Sequence, residues 1–327
     1  MFAYIVRRVL YAFPILIGVN ALTFALFFMV NTPDDIARMH LGNKHITQSS
    51  LDSWKEARGY DKPLLWASEQ EVVVDKATET IFFQKSLSLF VFDFGQADDG
   101  RDIVQDIKTR MWPSLAIAVP TLIIGLMVNI TFALLMVFFR ASYVDLGGVI
   151  LCVIIMSISS LFYIIGGQLL VGKMMQLVPI SGYGEGLSAI RFVILPVLIG
   201  VVAGIGGGAR WYRTLFLEEA SKDYVRTARA KGFSELQVLF KHVLKNAMIP
   251  ILTGVVVVLP TLFMGSLIIE SFFGIPGLGS YTIDAIQAQD FAIVRAMVFL
   301  GSVLYIIGLV LTDLSYTLVD PRVSMDN

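Results

Sequence analysis

Six stretches of this chain, at 9–30, 114–139, 146–171, 192–209, 247–269 and 291–316, carry almost no charge. A helix needs about 20 mostly apolar residues to cross the hydrocarbon core of a bilayer. Inside lipid every backbone polar group must also be satisfied within the chain, which favours helices. The expectation is an all-α polytopic membrane protein with six transmembrane helices. Composition agrees: 56% of residues are hydrophobic and 16% charged, against roughly 25% charged in a soluble domain. A disordered chain is excluded. A net charge of −1 excludes a basic nucleic-acid binder, and a single cysteine, Cys152, excludes a disulfide scaffold.

Arg7 and Arg8 before the first run suggest a signal peptide, but the apolar stretch is too long and no small-residue cleavage site follows. A retained helix is expected. The fourth run is the shortest, and Gly204, Gly206, Gly207 and Gly208 would let neighbouring helices approach closely. Basic residues concentrate at Arg7, Arg8, Arg140 and the 210–245 segment, whereas 31–110 holds ten basic and fourteen acidic residues. By the positive-inside rule both termini are cytoplasmic and 31–110 is extracytoplasmic. The organisation is therefore residues 1–30 as N-terminus and first helix, 31–110 as an insertion, and 111–327 as a five-helix core. The insertion reads as a small α/β unit. Val72–Val74, Ile81–Phe83 and Leu87–Phe92 suggest short strands, and Trp54 and Trp66 suggest local packing.

The segment 210–245 is more informative. Leu236, Leu239, Phe240 and Val243 recur at helical spacing. Ser234 and Gln237 have capping-box spacing, so a short helix should start near Ser234. Gly232 suits the left-handed turn closing a preceding helix, expected over 214–231 with Tyr224, Val225 and Ala228 on one side. A solvated basic loop would satisfy the charge pattern equally well. The cap, the glycine and the apolar stripe favour a rigid element that a partner grips.

Catalytic chemistry is hard to find. Gly167 to Lys173 has phosphate-loop spacing, but Met174 stands where a Ser or Thr must ligate magnesium. His40, His45 and His242 are the only histidines, and none has metal-ligand spacing. No cofactor, metal or nucleophile set is expected, so the chain reads as non-enzymatic. The first four runs contain no Asp, Glu, Lys or Arg, while Glu270, Arg295 and Asp313 lie near the ends of the last two. Asn129 is the main deep polar side chain, and an interhelical hydrogen bond would account for it. A secondary carrier or channel, the alternative reading, would need a deep ionisable relay or an inverted repeat.

Tyr224-Val225-Arg226-Thr227-Ala228-Arg229-Ala230-Lys231-Gly232, then His242-Val243-Leu244-Lys245-Asn246-Ala247 and Pro250, resembles the cytoplasmic signature of peptide-type ABC importer permeases. This is the oligopeptide/dipeptide/nickel branch of the binding-protein-dependent transport family. Arg7-Arg8-Val9-Leu10 with Pro14 is similar to the opening of its first-type permease. Further matches are Asp93-Phe94-Gly95, Val178 to Gly184, Glu270-Ser271-Phe272-Phe273 with Ile275-Pro276-Gly277-Leu278-Gly279, and Val319-Asp320-Pro321-Arg322. The ordered set covers nearly the whole chain.

The resemblance implies a type I importer fold in a bacterial inner membrane. It implies a second related permease, two ABC ATPase subunits, an extracytoplasmic solute-binding protein and a peptide substrate, with no nucleic acid. Tyr224, Arg226, Ala228, Arg229, Lys231, Gly232, Ser234, His242 and Asn246 would belong to the ATPase-coupling loop. Glu270, Pro276, Gly277 and Gly279 would form an outer segment, either gate-adjacent or a tight loop. Pro260 and Pro276 read equally as bending points or as structural prolines. The chain departs from the family at Asn31-Thr32-Pro33-Asp34-Asp35, at Arg226 in place of the acidic residue of the general motif, and at Ser159-Ser160 where relatives often carry proline.

Overall fold

The computed structural model describes residues 2–42, 47–67, 78–184 and 186–319. These residues are helical apart from turns and one isolated bridge, Gln96 to Asp102. Among the described residues five helices are long and apolar enough to cross a membrane, and a sixth span arises if one bent pair is counted as a single crossing. The chain divides into two compact units, one of Met1–Thr109 with Asp284–Ile306 and the other of Arg110–Ile283 with Ile307–Asn327.

In the first unit, α1 (Phe2–Phe24) runs on through a π turn, Ala25–Val30. Next, α2 (Pro33–Leu41) opens with a capping box in which Thr32 and Asp35 exchange hydrogen bonds and Pro33 takes the first helical position. That box explains the local departure at 31–35. The following helix, α3 (Gln48–Arg58), closes on Gly59. Phe24, Phe28, Ile36, Leu51, Trp54, Tyr60 and Ile81 form the core of the unit.

Among the described residues of the insertion the expected strands are absent. Residues 72–74, like His45, lie outside the described residues. Residues 82–86 form a π turn and 87–91 a 3₁₀ turn instead of strands. Ile81, Ser86 and Leu89 turn inward, and Phe82 meets the Phe24 ring edge-on at 5.0 Å. These β-prone side chains fill a helical surface, and packing overrides their propensity. Trp54 is a core residue as expected, whereas Trp66 is exposed.

In the second unit, the long α4 (Ile103–Phe138) is followed by α5 (Tyr143–Ser157) and α6 (Ser160–Gly167). The pair containing α5 and α6 bends by 85° where one span was expected. Ile158 is extended, and the Ser159 side chain accepts from the Leu161 N–H, capping a new helix. The serine pair thus breaks the span without proline. Residues 168–174 continue α6 as a π turn, so the phosphate-loop spacing has no strand before it.

The fourth apolar run lies inside the longer α7 (Ala189–Ala220). As expected, α5 approaches it at a glycine: a Cβ on Gly206 would meet the Cys152 carbonyl at 2.6 Å. Asn129 also abuts α7, at Gly208, but its Oδ1 is buried with no hydrogen-bond partner, contrary to the interhelical bond expected.

The helix expected over 214–231 is two helices. Its first part is the end of α7, and α8 (Asp223–Ala230) follows a turn at Ser221. The short helix expected near Ser234 is the start of α9 (Glu235–Met264), a 30-residue helix that enters the membrane. It ends at Met264, five residues before the expected end at 269. The remaining elements are α10 (Leu267–Phe273), α11 (Leu278–Ala288) and α12 (Phe291–Val319).

Candidate functional site

The residues singled out at 224–246 form an elbow between α8 and α9. Gly232 has φ +83°, the left-handed conformation that reverses the chain. The Ser234 hydroxyl accepts from the Gln237 N–H while the Gln237 side chain accepts from the Ser234 N–H. Arg229 on α8 grips Glu235 on α9 through two hydrogen bonds of 2.9 and 3.2 Å. These three devices set the angle of the elbow from both sides of the turn.

The base of the elbow is apolar. Val225 and Ala228 on α8 pack with Phe216, Val238, Leu239, Val243 and Ala247, against Ala133, Leu134 and Val137 of α4. The expected stripe of Leu236, Leu239, Phe240 and Val243 is only half right. A π turn over Leu239–Leu244 inserts extra backbone into the helical ladder and rotates the buried face. Val238, Leu239, Val243 and Ala247 point inward, while Leu236 and Phe240 stay outside at 54% and 55% exposure. Phe233 is also exposed, with Lys241 near its ring and His242 tilted against it at 5.6 Å.

Tyr224 was expected beside Val225 and Ala228, but it lies on the outer side and donates its hydroxyl to Glu219. Burial, reinforced by the hydrogen bond to Glu219, pushes its phenol up to about 12, while Asn246 beside it pulls the other way. Asn246 itself donates to the His242 carbonyl at 2.8 Å. Arg226 and Lys231 are exposed, and Arg226 reaches Asp223 at 3.6 Å.

Glu270, Pro276, Gly277 and Gly279 belong to a second constellation. Glu270 is fully buried. Its carboxylate accepts from the N–H groups of Ser266 at 3.0 Å, Gly279 at 2.7 Å and Ser280 at 3.2 Å, and from the Ser114 hydroxyl. Burial pushes its carboxyl above the usual range, and those donors pull it back. Ser114 in turn accepts from the Leu278 N–H at 2.8 Å. Gly277 and Gly279 stand where any Cβ would collide with this clasp or with the Ser266 backbone, whereas Pro276 is exposed.

The quoted Val178–Gly184 motif meets the same place. Gly182 donates to the Phe273 carbonyl at 2.7 Å, and the Gln168 amide bridges the Ile180 and Phe272 carbonyls. Ser114 and Gln168 were not foreseen. Nothing in their spacing marks them, because the contact that recruits each is made far away in sequence. Among the described residues no group of three His, Cys, Asp or Glu side chains is placed to hold a metal ion.

Residues 110–325 match the family described as binding-protein-dependent transport system inner membrane component. Residues 1–87 match the N-terminal region of such membrane components. The chain is 30% identical to the oligopeptide transport system permease protein AppB of Bacillus subtilis, over 99% of both chains. It is 27% identical to the dipeptide transport system permease protein DppB of the same organism, over 99% of both chains. It is 29% identical to DppB of Lactococcus lactis, over 99% of this chain and all of the relative.

Proposed function

This chain belongs to the family of binding-protein-dependent transport system inner membrane components, and on that premise we propose that it is the permease subunit of an ATP-driven peptide importer. The substrate class follows from the oligopeptide and dipeptide names of its relatives. In this reading the subunit lies in a bacterial inner membrane with both termini cytoplasmic and lines the translocation path with a second, related permease. A solute-binding protein delivers peptide, and two partner ATPases hydrolyse ATP.

The observation that carries the reading is the elbow. It joins a buried apolar base to an outward face of Phe233, Leu236 and Phe240, flanked by Lys231 and Lys241. Such a face suits a groove on an ATPase. Because α9 runs as one helix from Glu235 to Met264, through the π turn over Leu239–Leu244, a push on Leu236 is delivered to the membrane-embedded part of the same helix. Closure of the ATPase pair then biases a two-state element in the bilayer, which is what coupling between sites requires.

The Glu270 clasp is the second part of the reading. It ties the end of α10 to the start of α11 and to α4, so it sets the shape of the segment next to the path. Glu270, Gly277 and Gly279 act as positioning residues of an outer gate, with Pro276 on its surface.

Co-purification tests the reading. L236D and F240D, both at exposed positions, should leave membrane insertion intact and abolish recovery of the ATPase with the tagged chain. Full recovery of the ATPase in both variants, or peptide uptake by ATP-free vesicles, overturns it.

A further inference from the structure

Within the first unit, a cavity of about 600 Å³ lies beside Arg58, Tyr60, Lys85, Gln96, Asp98 and Arg295. Three of those six side chains are cationic, and their electrostatic needs are met unequally. Arg58 is satisfied, since it pairs with Asp98 at 3.1 Å and lies over the Trp54 ring. His40 also reaches Asp98, at 3.3 Å. Asp290, the other carboxylate nearby, accepts from the N–H groups of Asp98 and Ile293.

Among the described residues Arg295 and Lys85 form no ion pair, and the charges of Asp290 and Asp93 act on them only from beyond contact distance. Arg295 is 5% exposed, and its one hydrogen bond runs from Nε to the Phe291 carbonyl at 3.3 Å. Its Nη1 is buried with no acceptor. Its guanidinium rests on the Phe28 ring at 4.9 Å, and the Lys85 ammonium stands 5.8 Å from the Tyr60 ring. Those two rings meet edge-on at 5.4 Å, so the two cations rest on adjoining aromatic surfaces, close enough for the charge of Arg295 to act on Lys85. Among the described residues no carboxylate forms an ion pair with either. Burial, and then the charge of Arg295, pull the Lys85 ammonium below its ordinary value.

Aromatic faces attract cations but replace a lost counter-ion only in part. A guanidinium without an ion-pair partner and a neighbouring ammonium, both belonging to residues that line one cavity, make a complementary setting for a planar anion with two acceptor oxygens. We propose that this cavity binds the carboxylate of a small organic acid, held by Lys85 and Arg295. The site is separate from the elbow and stands whether or not an ATPase docks there.

Calorimetric titration of the detergent-solubilised full chain tests this, with acetate, dialanine and dialanine amide as probes against a sodium chloride background. Acetate and dialanine should bind, and the amide should bind at least about tenfold more weakly, because it lacks the charged acceptor. Dialanine binding tighter than acetate would identify a peptide end as the source of the carboxylate. Equal binding would identify any small acid, and both results support the site. K85Q and R295Q should each weaken dialanine at least about tenfold. Should R295Q fail to fold, K85Q decides, since Lys85 is only partly buried. Absence of heat with both acids, an amide that binds as tightly as dialanine, or wild-type affinity in K85Q overturns the proposal.

Discussion

The guanidinium of Arg213 holds the carboxylate of Asp145 through two parallel hydrogen bonds, Nε to Oδ1 at 2.7 Å and Nη2 to Oδ2 at 2.8 Å. The pair joins the first turn of α5 to the last third of α7, and Asp145 also accepts from the Ala141 N–H at 3.2 Å. Asp145 is 6% exposed. Losing its charge leaves Arg213 unpaired next to lipid-facing helices. Breaking a buried pair typically costs roughly 3–5 kcal/mol. Arg213 keeps some contact with solvent, so about 2 kcal/mol is expected for D145N. Thermal unfolding of the solubilised chain should show the loss, and R213K should show a smaller loss, because lysine keeps the charge but cannot make the parallel pair.

That ion pair marks the limit of what the sequence discloses. The apolar runs locate the spans, because lipid leaves the backbone few alternatives to helix. They do not locate helix ends. α7 continues well past its apolar run into polar residues, where hydropathy no longer reports helix, and α5 begins at Tyr143, just before its own run; Arg213 and Asp145 lie in those extensions. The capping box at Ser234 and the left-handed Gly232 were legible, since each depends on neighbours in sequence. The buried face of α9 was not, because a π turn rotates it without any local signature. The Glu270 clasp was legible only as a motif. Its partners, Ser114 and the N–H groups of α11, come together through tertiary contact.

The elbow should loosen in graded steps. No atom lies within 4 Å of where a Cβ on Gly232 would stand, so the cost of G232A is purely conformational, about 1 kcal/mol. S234A removes one half of the capping box, also about 1 kcal/mol. Each change should speed amide hydrogen exchange over 232–238 by about fivefold, with exchange in the middle of α4 unchanged. The double variant should show roughly the product of the two effects if cap and turn act independently.

The Glu270 clasp should be intolerant of small changes. A carboxylate offers acceptors to all four of its donors, whereas glutamine turns an NH₂ toward at least one N–H. E270Q should therefore cost about 1–3 kcal/mol. S114A leaves the Leu278 N–H without its acceptor and takes away one of the four donors to Glu270, but turns no donor against another, and should cost about 1–2 kcal/mol. G277A is expected to be worst, since its methyl would overlap the Glu270 carboxylate and Ser114 together. Yield of monodisperse protein after size-exclusion chromatography should fall in the order S114A, E270Q, G277A.

Tyr224 supplies a spectroscopic reading of the elbow. Its folded-state pKa of about 12 lies above the ordinary tyrosine value of 10.0. The folded chain therefore holds the phenol proton more tightly than the unfolded chain does. This contribution to stability is complete below pH 10 and disappears as pH rises through about 12. Difference absorbance between wild type and Y224F should show no phenolate until well above pH 10. Burial is the larger cause and Glu219 the second. E219Q should accordingly lower the transition without returning it to 10. A full return would mean that the charge of Glu219 alone holds the proton and that Tyr224 is open to water.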